Sequence, residues 1–213
     1  MIAYILSGDV TAADIKRYQK ECPFVTVRIF NAAKYPSFVK NLFEYRWKSL
    51  LVEEVLQEVE KVIWFDASII FKSNANETIM EIVQKMDTKF SKCGIRDFGE
   101  SGHSILFATH PKMLQYFNMS EETAKNNIMI AGGLFIISRK GSNILQKWNK
   151  CALEKECMAP EGSELYCTCG ECRTKNIYGN CHRFDQAVLS ILTLQCSSNL
   201  KDFYQPSTLI STY

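Results

Sequence analysis

Asp66 stands at the end of Val62-Ile63-Trp64-Phe65, a short continuous apolar run. Such a run reads as a strand buried on both faces of a covered sheet. In open α/β sheets, ligands bind in the crevice at the carboxyl ends of the strands. A carboxylate placed there can face phosphate-bound metal instead of bulk water; the plainer reading is a turn acid that caps the next segment. His182, beside Cys181, is a further candidate metal ligand, although a lone histidine is more often structural. Cys167-Thr168-Cys169-Gly170-Glu171-Cys172, with Cys181 and His182 downstream, has enough soft donors for a tetrahedral zinc and enough thiols for disulfides.

The elements that must position these groups are legible from periodicity. Trp47, Leu50, Leu51, Val55, Leu56 and Val59 recur at spacings of three and four, while Glu53, Glu54, Gln57, Glu58 and Glu60 supply the wet side. This amphipathic helix delivers the chain to the strand that ends at Asp66. Upstream, Ile2 to Leu6 reads as a strand, Thr11 with Asp14 as a capping box opening a helix, and Phe24 to Phe30 as a second strand. Downstream, Ile69 to Phe71 continues or re-pairs, and Thr78 to Met86 has helical spacing. Gly94 to Gly102 reads as loop, Ser104 to Ala108 as a short strand, and Pro111 as the first turn of a helix reaching Phe117.

Ala131-Gly132-Gly133 introduces another strand, Gly133 to Ser138, and residues 141–156 return to helix. Residues 157–180 read as a cysteine-rich loop, Phe184 to Leu194 as a final apolar helix, and 195–213 as an irregular tail. Strands alternating with helices predict one α/β domain over 1–213 with a largely parallel sheet.

Composition narrows the classes. With 46% hydrophobic and 23% charged residues, the chain reads as a globular protein with a sizeable core. A net charge of +2 without a basic run argues against nucleic acid as a partner. No stretch approaches the roughly 18 apolar residues that a membrane span needs. The start, Met1-Ile2-Ala3-Tyr4-Ile5-Leu6, lacks the charged flank of a signal peptide. Nine cysteines, seven of them between Cys151 and Cys196, suit an oxidising compartment, and the odd count leaves at least one thiol unpaired within the chain. Sequons at Asn76-Glu77-Thr78 and Asn118-Met119-Ser120 agree with a secretory route.

Phe30 through Phe71, AGGLFIIS at 131–138, WNKCALEKECMAP at 148–160 and CHRFDQAVLSIL at 181–192 resemble blocks of a little-characterised animal family of glycosyltransferase-like proteins. That family is placed among the type A nucleotide-diphospho-sugar transferases and is often anchored in the Golgi. The resemblance runs from about Ile2 to Leu192, with the blocks in order and correctly spaced. It implies a nucleotide-sugar donor, a glycan or protein acceptor, and Mg²⁺ or Mn²⁺ held by carboxylates and phosphate oxygens at the strand ends. It also implies a Golgi or other secretory-lumen location, and that the family's first strand, stem and membrane anchor fall outside this chain.

Carried over residue by residue, the resemblance puts Asp66-Ala67-Ser68 where many type A enzymes have Asp-x-Asp. Asp66 keeps the ligand role, whereas Ser68 suits a phosphate or water better than a metal. Gly132 and Gly133 would let a sugar or pyrophosphate approach the backbone, or simply make a tight turn. Asp185-Gln186 resembles the acid–amide pair found late in several sugar-transferase families, near donor or acceptor sugar; an acid opening a helix is also favourable by itself. Arg46 and Lys48 begin the signature helix, where a cation could pair with diphosphate or remain a solvated helix-end charge. The cysteine pattern favours disulfides over zinc. The alternative function is a catalytically silent relative that binds a glycan or a protein.

Overall fold

The apolar pattern at 62–65 and 133–138 becomes two neighbouring strands, and the rest of the chain is arranged around them. In the computed structural model, residues 1–72, 75, 77–208 and 210–212 are described. The elements run β1 (Ile2–Ile5), α1 (Ala12–Glu21), β2 (Thr26–Ile29), α2 (Arg46–Glu58), β3 (Lys61–Phe65), β4 (Ile69–Phe71), α3 (Ile79–Lys85), β5 (Ile95–Asp97) and β6 (Glu100–Ser104). They continue through α4 (Pro111–Tyr116), α5 (Glu121–Asn126), β7 (Ile128–Ile130), β8 (Leu134–Ser138), α6 (Ser142–Leu153), α7 (Lys155–Met158), α8 (Cys172–Lys175), α9 (Phe184–Cys196) and β9 (Ile210–Thr212). Short 3₁₀ turns fill much of residues 32–44.

The chain is α/β, but the expectation of a largely parallel sheet is corrected. β1 and β2 pair in parallel, whereas β8 runs antiparallel to both β3 and β5 in a three-stranded sheet, and β4–β9 and β6–β7 are antiparallel pairs. The reason is local. The chain enters β8 through Gly132-Gly133 at the end where β3 and β5 leave, so β8 must run against them. Alternation of strands and helices in sequence carries no information about that direction.

β8 is buried along its whole length. Phe135 and Ile137 pack into the main cluster with α2, α6 and α9, whereas Leu134 and Ile136 pack on the other face with Ile82, Met86 and Phe90. This period-two division explains why the strand is apolar at successive positions instead of alternating. A third cluster, Phe30, Val39, Trp47, Leu50 and Leu51, joins the region of β1 and β2 to α2.

Several local expectations are refined. The Thr11–Asp14 capping box forms at α1, and a second at α3 pairs Thr78 with Glu81. Pro111 opens α4. The strand expected at Ser104–Ala108 is mostly a turn, and the segment read as loop over 94–102 supplies β5 and most of β6. The polar Glu100–Ser104 strand is held by pairing with β7, not by an apolar face, so no alternating pattern betrays it. The cysteine-rich loop contains α8, and the tail expected to be irregular includes the end of α9 and β9.

Eight cysteines form disulfides: Cys93–Cys196, Cys151–Cys157, Cys167–Cys181 and Cys169–Cys172, leaving Cys22 as the free thiol. The cysteine cluster is therefore a disulfide framework, and the zinc reading is left without thiolates. Such a framework is consistent with a luminal or secreted location. Among the described residues, no helix is long and apolar enough to cross a membrane. Asn118 is exposed, in left-handed backbone after α4, whereas Asn76 lies outside the described residues.

Candidate functional site

Because β3 and β5 both run against β8, their carboxyl ends meet its amino end. Asp66 follows β3, Asp97 ends β5, and Gly132-Gly133 leads into β8. The backbone ties them: Asp66 N–H donates to Gly133 O at 2.8 Å. Asp97 accepts from Gly99 N at 2.9 Å through Oδ1 and from Gly132 N at 3.2 Å through Oδ2. Gly132 sits at φ +66°, a backbone that glycine adopts without a Cβ penalty. A Cβ on Gly133 would lie 3.3 Å from Asp66 Oδ2, so this glycine keeps room for the carboxylate.

Two helices complete the cluster from their first turns. Lys48 on α2 places Nζ 2.8 Å from Asp185 Oδ2 and 3.4 Å from Asp66 Oδ1, and donates to Gly132 O at 3.2 Å. Trp64 Nε1 donates to Asp66 Oδ1 at 2.7 Å, and the Tyr45 and Trp64 rings lie 5.6 and 5.8 Å from the ammonium. Asp185 and Gln186 come from α9, with Gln186 Nε2 donating to Ile130 O at 2.7 Å. Each helix is entered through an aromatic residue in left-handed backbone, Tyr45 at φ 54° and Phe184 at φ 29°. Such conformations cost of order 1–3 kcal/mol and persist where surrounding contacts over-determine them.

Burial sets the electrostatics. Lys48, Asp97 and Asp185 are buried, whereas the Asp66 side chain is 37% exposed. Burial by itself would depress Lys48, but the Asp185 and Asp66 carboxylates reverse this and hold it above its ordinary value. Burial pushes Asp185 up, with Asp66 adding to the rise and Lys48 opposing it. Asp97 is raised to about 7 by burial, against the N–H donors of Gly99, Gly132 and Ala131. The ensemble is an ammonium enclosed by carboxylates, with Asp66 the member that reaches solvent. Asp66 lines a cleft of about 390 Å³ that also touches Tyr4, Tyr45, Trp47 and Trp64.

The structure brings together Asp66, Lys48, Gly132, Gly133, Asp185 and Gln186, and separates three other expected residues from them. Arg46 is fully buried and donates to the carbonyls of Ala152, Glu154 and Lys155 while pairing with Glu44, so it fastens α2 to the end of α6. His182 is buried with Nε2 3.0 Å from Met158 O and Nδ1 accepting from His110 N. Burial lowers it to about 3, and both ring nitrogens are committed to backbone, which corrects its reading as a metal ligand. Ser68 lies in the exposed turn between β3 and β4. Among the described residues, no group of three or more His, Cys, Asp or Glu side chains is disposed to hold a metal.

Asp97 escaped the sequence reading because Gly94 to Gly102 looked polar and loop-like. A signal existed: Ile95-Arg96-Asp97 is a short strand ending in an acid, the same arrangement as Phe65-Asp66. The roles of Tyr45 and Trp64 as the aromatic wall around Lys48 had no sequence signal beyond their place in apolar segments.

Comparison with known proteins agrees with this architecture at the level of fold. Residues 1–53 match a family model described as "Protein of unknown function (DUF1647)". No curated protein matches the sequence. The structure resembles the crystal structure of mouse xyloside xylosyltransferase 1, apo form, with a TM-score of 0.52 and 12% identity, over 96% of this chain and 70% of that one. The chain thus has a glycosyltransferase-like fold.

Proposed function

We propose that the chain is a luminal glycosyltransferase domain that passes a sugar from a nucleotide donor to a glycan or protein hydroxyl. The observation that carries this reading is the buried Lys48 ammonium bridging Asp66 and Asp185 at the strand ends of a glycosyltransferase-like fold. Lys48 and Trp64 together fix Asp66 Oδ1, directing the remainder of that carboxylate to the cleft and the donor's charged leaving group. Asp185, held by Lys48, orients donor or acceptor sugar. Gly132 and Gly133 keep the backbone low beside it. The Golgi lumen is the proposed compartment, in keeping with the disulfides and the exposed sequon at Asn118.

The donor set fits a divalent ion in a restricted way. Asp66 supplies one accessible carboxylate, which matches Mg²⁺ or Mn²⁺ bound through one carboxylate, waters and substrate phosphates, not by an all-protein cage. Such an ion would add charge neutralisation at the diphosphate. Lys48 provides a resident positive charge whether or not an ion is bound.

A screen of nucleotide sugars, a xylosyl donor among them, with Mn²⁺ and with chelator, tests the proposal. Turnover lost in Asp66→Ala on a folded protein is expected. A second reading, a glycan-binding relative without catalysis, is favoured by the burial of Asp185 beneath Lys48. Saturable glycan binding without turnover of any donor would replace the first reading by the second.

A further inference from the structure

A second cavity, of about 350 Å³, opens where the chain enters α2. Asn41, Phe43 and Glu44 line it from one segment, Ser163 and Glu164 from another, and the buried Phe184 from a third. Glu44 directly precedes Tyr45, which lines the cleft of Asp66, and Phe184 directly precedes Asp185. The pocket therefore abuts the first turns that carry Lys48 and Asp185. Its volume lies at the lower end of the range for small-ligand cavities, about 300–1,000 Å³, which suits one sugar ring.

The lining is chemically selective. Phe43 is 73% exposed, an aromatic ring left to solvent at the pocket wall. Glu44 is already fixed: its Oε1 accepts from Asn41 Nδ2 at 2.9 Å and its Oε2 pairs with Arg46. Arg46 is held in turn by the carbonyls of Ala152, Glu154 and Lys155, so the guanidinium expected at a diphosphate orients a carboxylate instead. Ser163 Oγ is enclosed and has no partner among the described residues. Enclosed hydroxyls without a partner are rare in folded proteins, and a ligand hydroxyl would satisfy this one. Among the described residues no cation lines the pocket, whereas two carboxylates do, which disfavours phosphate or any other anion as its ligand. Because Arg46 already matches the charge of Glu44, a cation is poorly served as well.

We infer that this pocket seats an uncharged sugar ring, which, on the function proposed above, belongs to the acceptor. A pyranose has apolar C–H faces that pack on an aromatic ring, and hydroxyls that donate to carboxylates and amides. Phe43 supplies the ring, and Asn41, Glu44 and Glu164 supply the acceptors. The loop that bears Ser163 and Glu164 is held in place. Cys157 before it and Cys167 after it are disulfide-bonded, and Glu164 O accepts from His182 N at 2.6 Å. Walls fixed in advance lose little freedom when a ligand enters. A ring seated here lies next to Asp185, on the chain that joins the pocket to the cleft of Asp66.

The test uses the full chain and a panel of uncharged methyl glycosides (xyloside, glucoside, galactoside and N-acetylglucosaminide), with binding read by saturation-transfer NMR and calorimetry. At least one should bind saturably. Phe43→Ala and Glu164→Leu, each at an exposed side chain, should weaken that binding at least about threefold, the loss of one aromatic or one hydrogen-bond contact. Nucleoside diphosphate binding, measured in parallel on the parent protein, reports on the donor reading separately. Glycoside binding that needs Phe43 supports the pocket even where no nucleotide binds. Failure of every glycoside to bind overturns the inference, as does unchanged affinity in both variants. Tighter binding of lysine methyl ester than of any glycoside would also overturn it, in favour of a cation site.

Discussion

The Lys48 ammonium lies 2.8 Å from the Asp185 carboxylate inside the protein, where the two side chains are 4% and 8% exposed. Charges enclosed in this way are costly to desolvate, and their attraction offsets that cost only while both are present. The pair joins the first turn of α2 to the first turn of α9. Through Asp66, it also reaches the cleft.

Lys48→Met leaves Asp185 buried beside a methylene chain, and should lower stability by about 3–5 kcal/mol in urea denaturation. Lys48→Met combined with Asp185→Leu should recover a large part of that loss. A single variant as stable as the parent would show that the pair is not enclosed as described.

Asp66 is the exposed partner, so Asp66→Asn should change stability by no more than about 1 kcal/mol. Donor binding or turnover should nevertheless fall at least about tenfold, the loss of a charge-assisted contact. Calorimetric titration with a nucleoside diphosphate, alongside a denaturation curve, separates the two effects.

The two glycines should respond differently. Gly132→Ala meets only ordinary contacts, the nearest at 3.6 Å, but its φ of +66° costs about 1–2 kcal/mol of stability. Gly133→Ala brings Cβ to 3.3 Å from Asp66 Oδ2 and should displace the carboxylate with less effect on folding. Melting temperatures should order Gly132→Ala below Gly133→Ala, and nucleotide affinities should order them in reverse.

Glu77 gives the chain an acid limit. Burial would raise it, but Arg96, at 3.0 and 2.8 Å, and Lys85 hold it down from 4.5 to about 2. A depressed carboxylate contributes stability that is full above its unfolded value and is lost as pH falls through the folded one. Stability should therefore decline between about pH 4.5 and pH 2, and Glu77→Gln should flatten that part of the profile. An unchanged slope in Glu77→Gln would assign the decline to other carboxylates.

Cys93–Cys196 closes a separation of 103 residues and Cys151–Cys157 one of 6. In the chain-entropy account these are worth about 4.7 and about 2 kcal/mol. Paired serine replacement at Cys93 and Cys196 should cost more than at Cys151 and Cys157, as read by thermal melts. Equal losses would mean that native packing, not loop closure, sets their contribution.

Periodicity and chain chemistry determined the segments by themselves: the helix that carries Lys48, the apolar strand before Asp66, the Thr11 cap, and the glycines before β8. Each depends on residues a few positions apart, where side-chain spacing and backbone preference act directly. Cysteine density likewise pointed to disulfides, though not to their pairing. The tertiary structure decided the rest. It set the direction of β8 against β3 and β5, joined Lys48 to Asp185, and raised Asp97 from an apparent loop to a buried strand end. It also closed His182 and Arg46 onto backbone carbonyls. Those outcomes depend on which distant groups share a desolvated volume. A linear pattern cannot encode that, because the cost of burying a charge is set by the neighbours that folding brings to it.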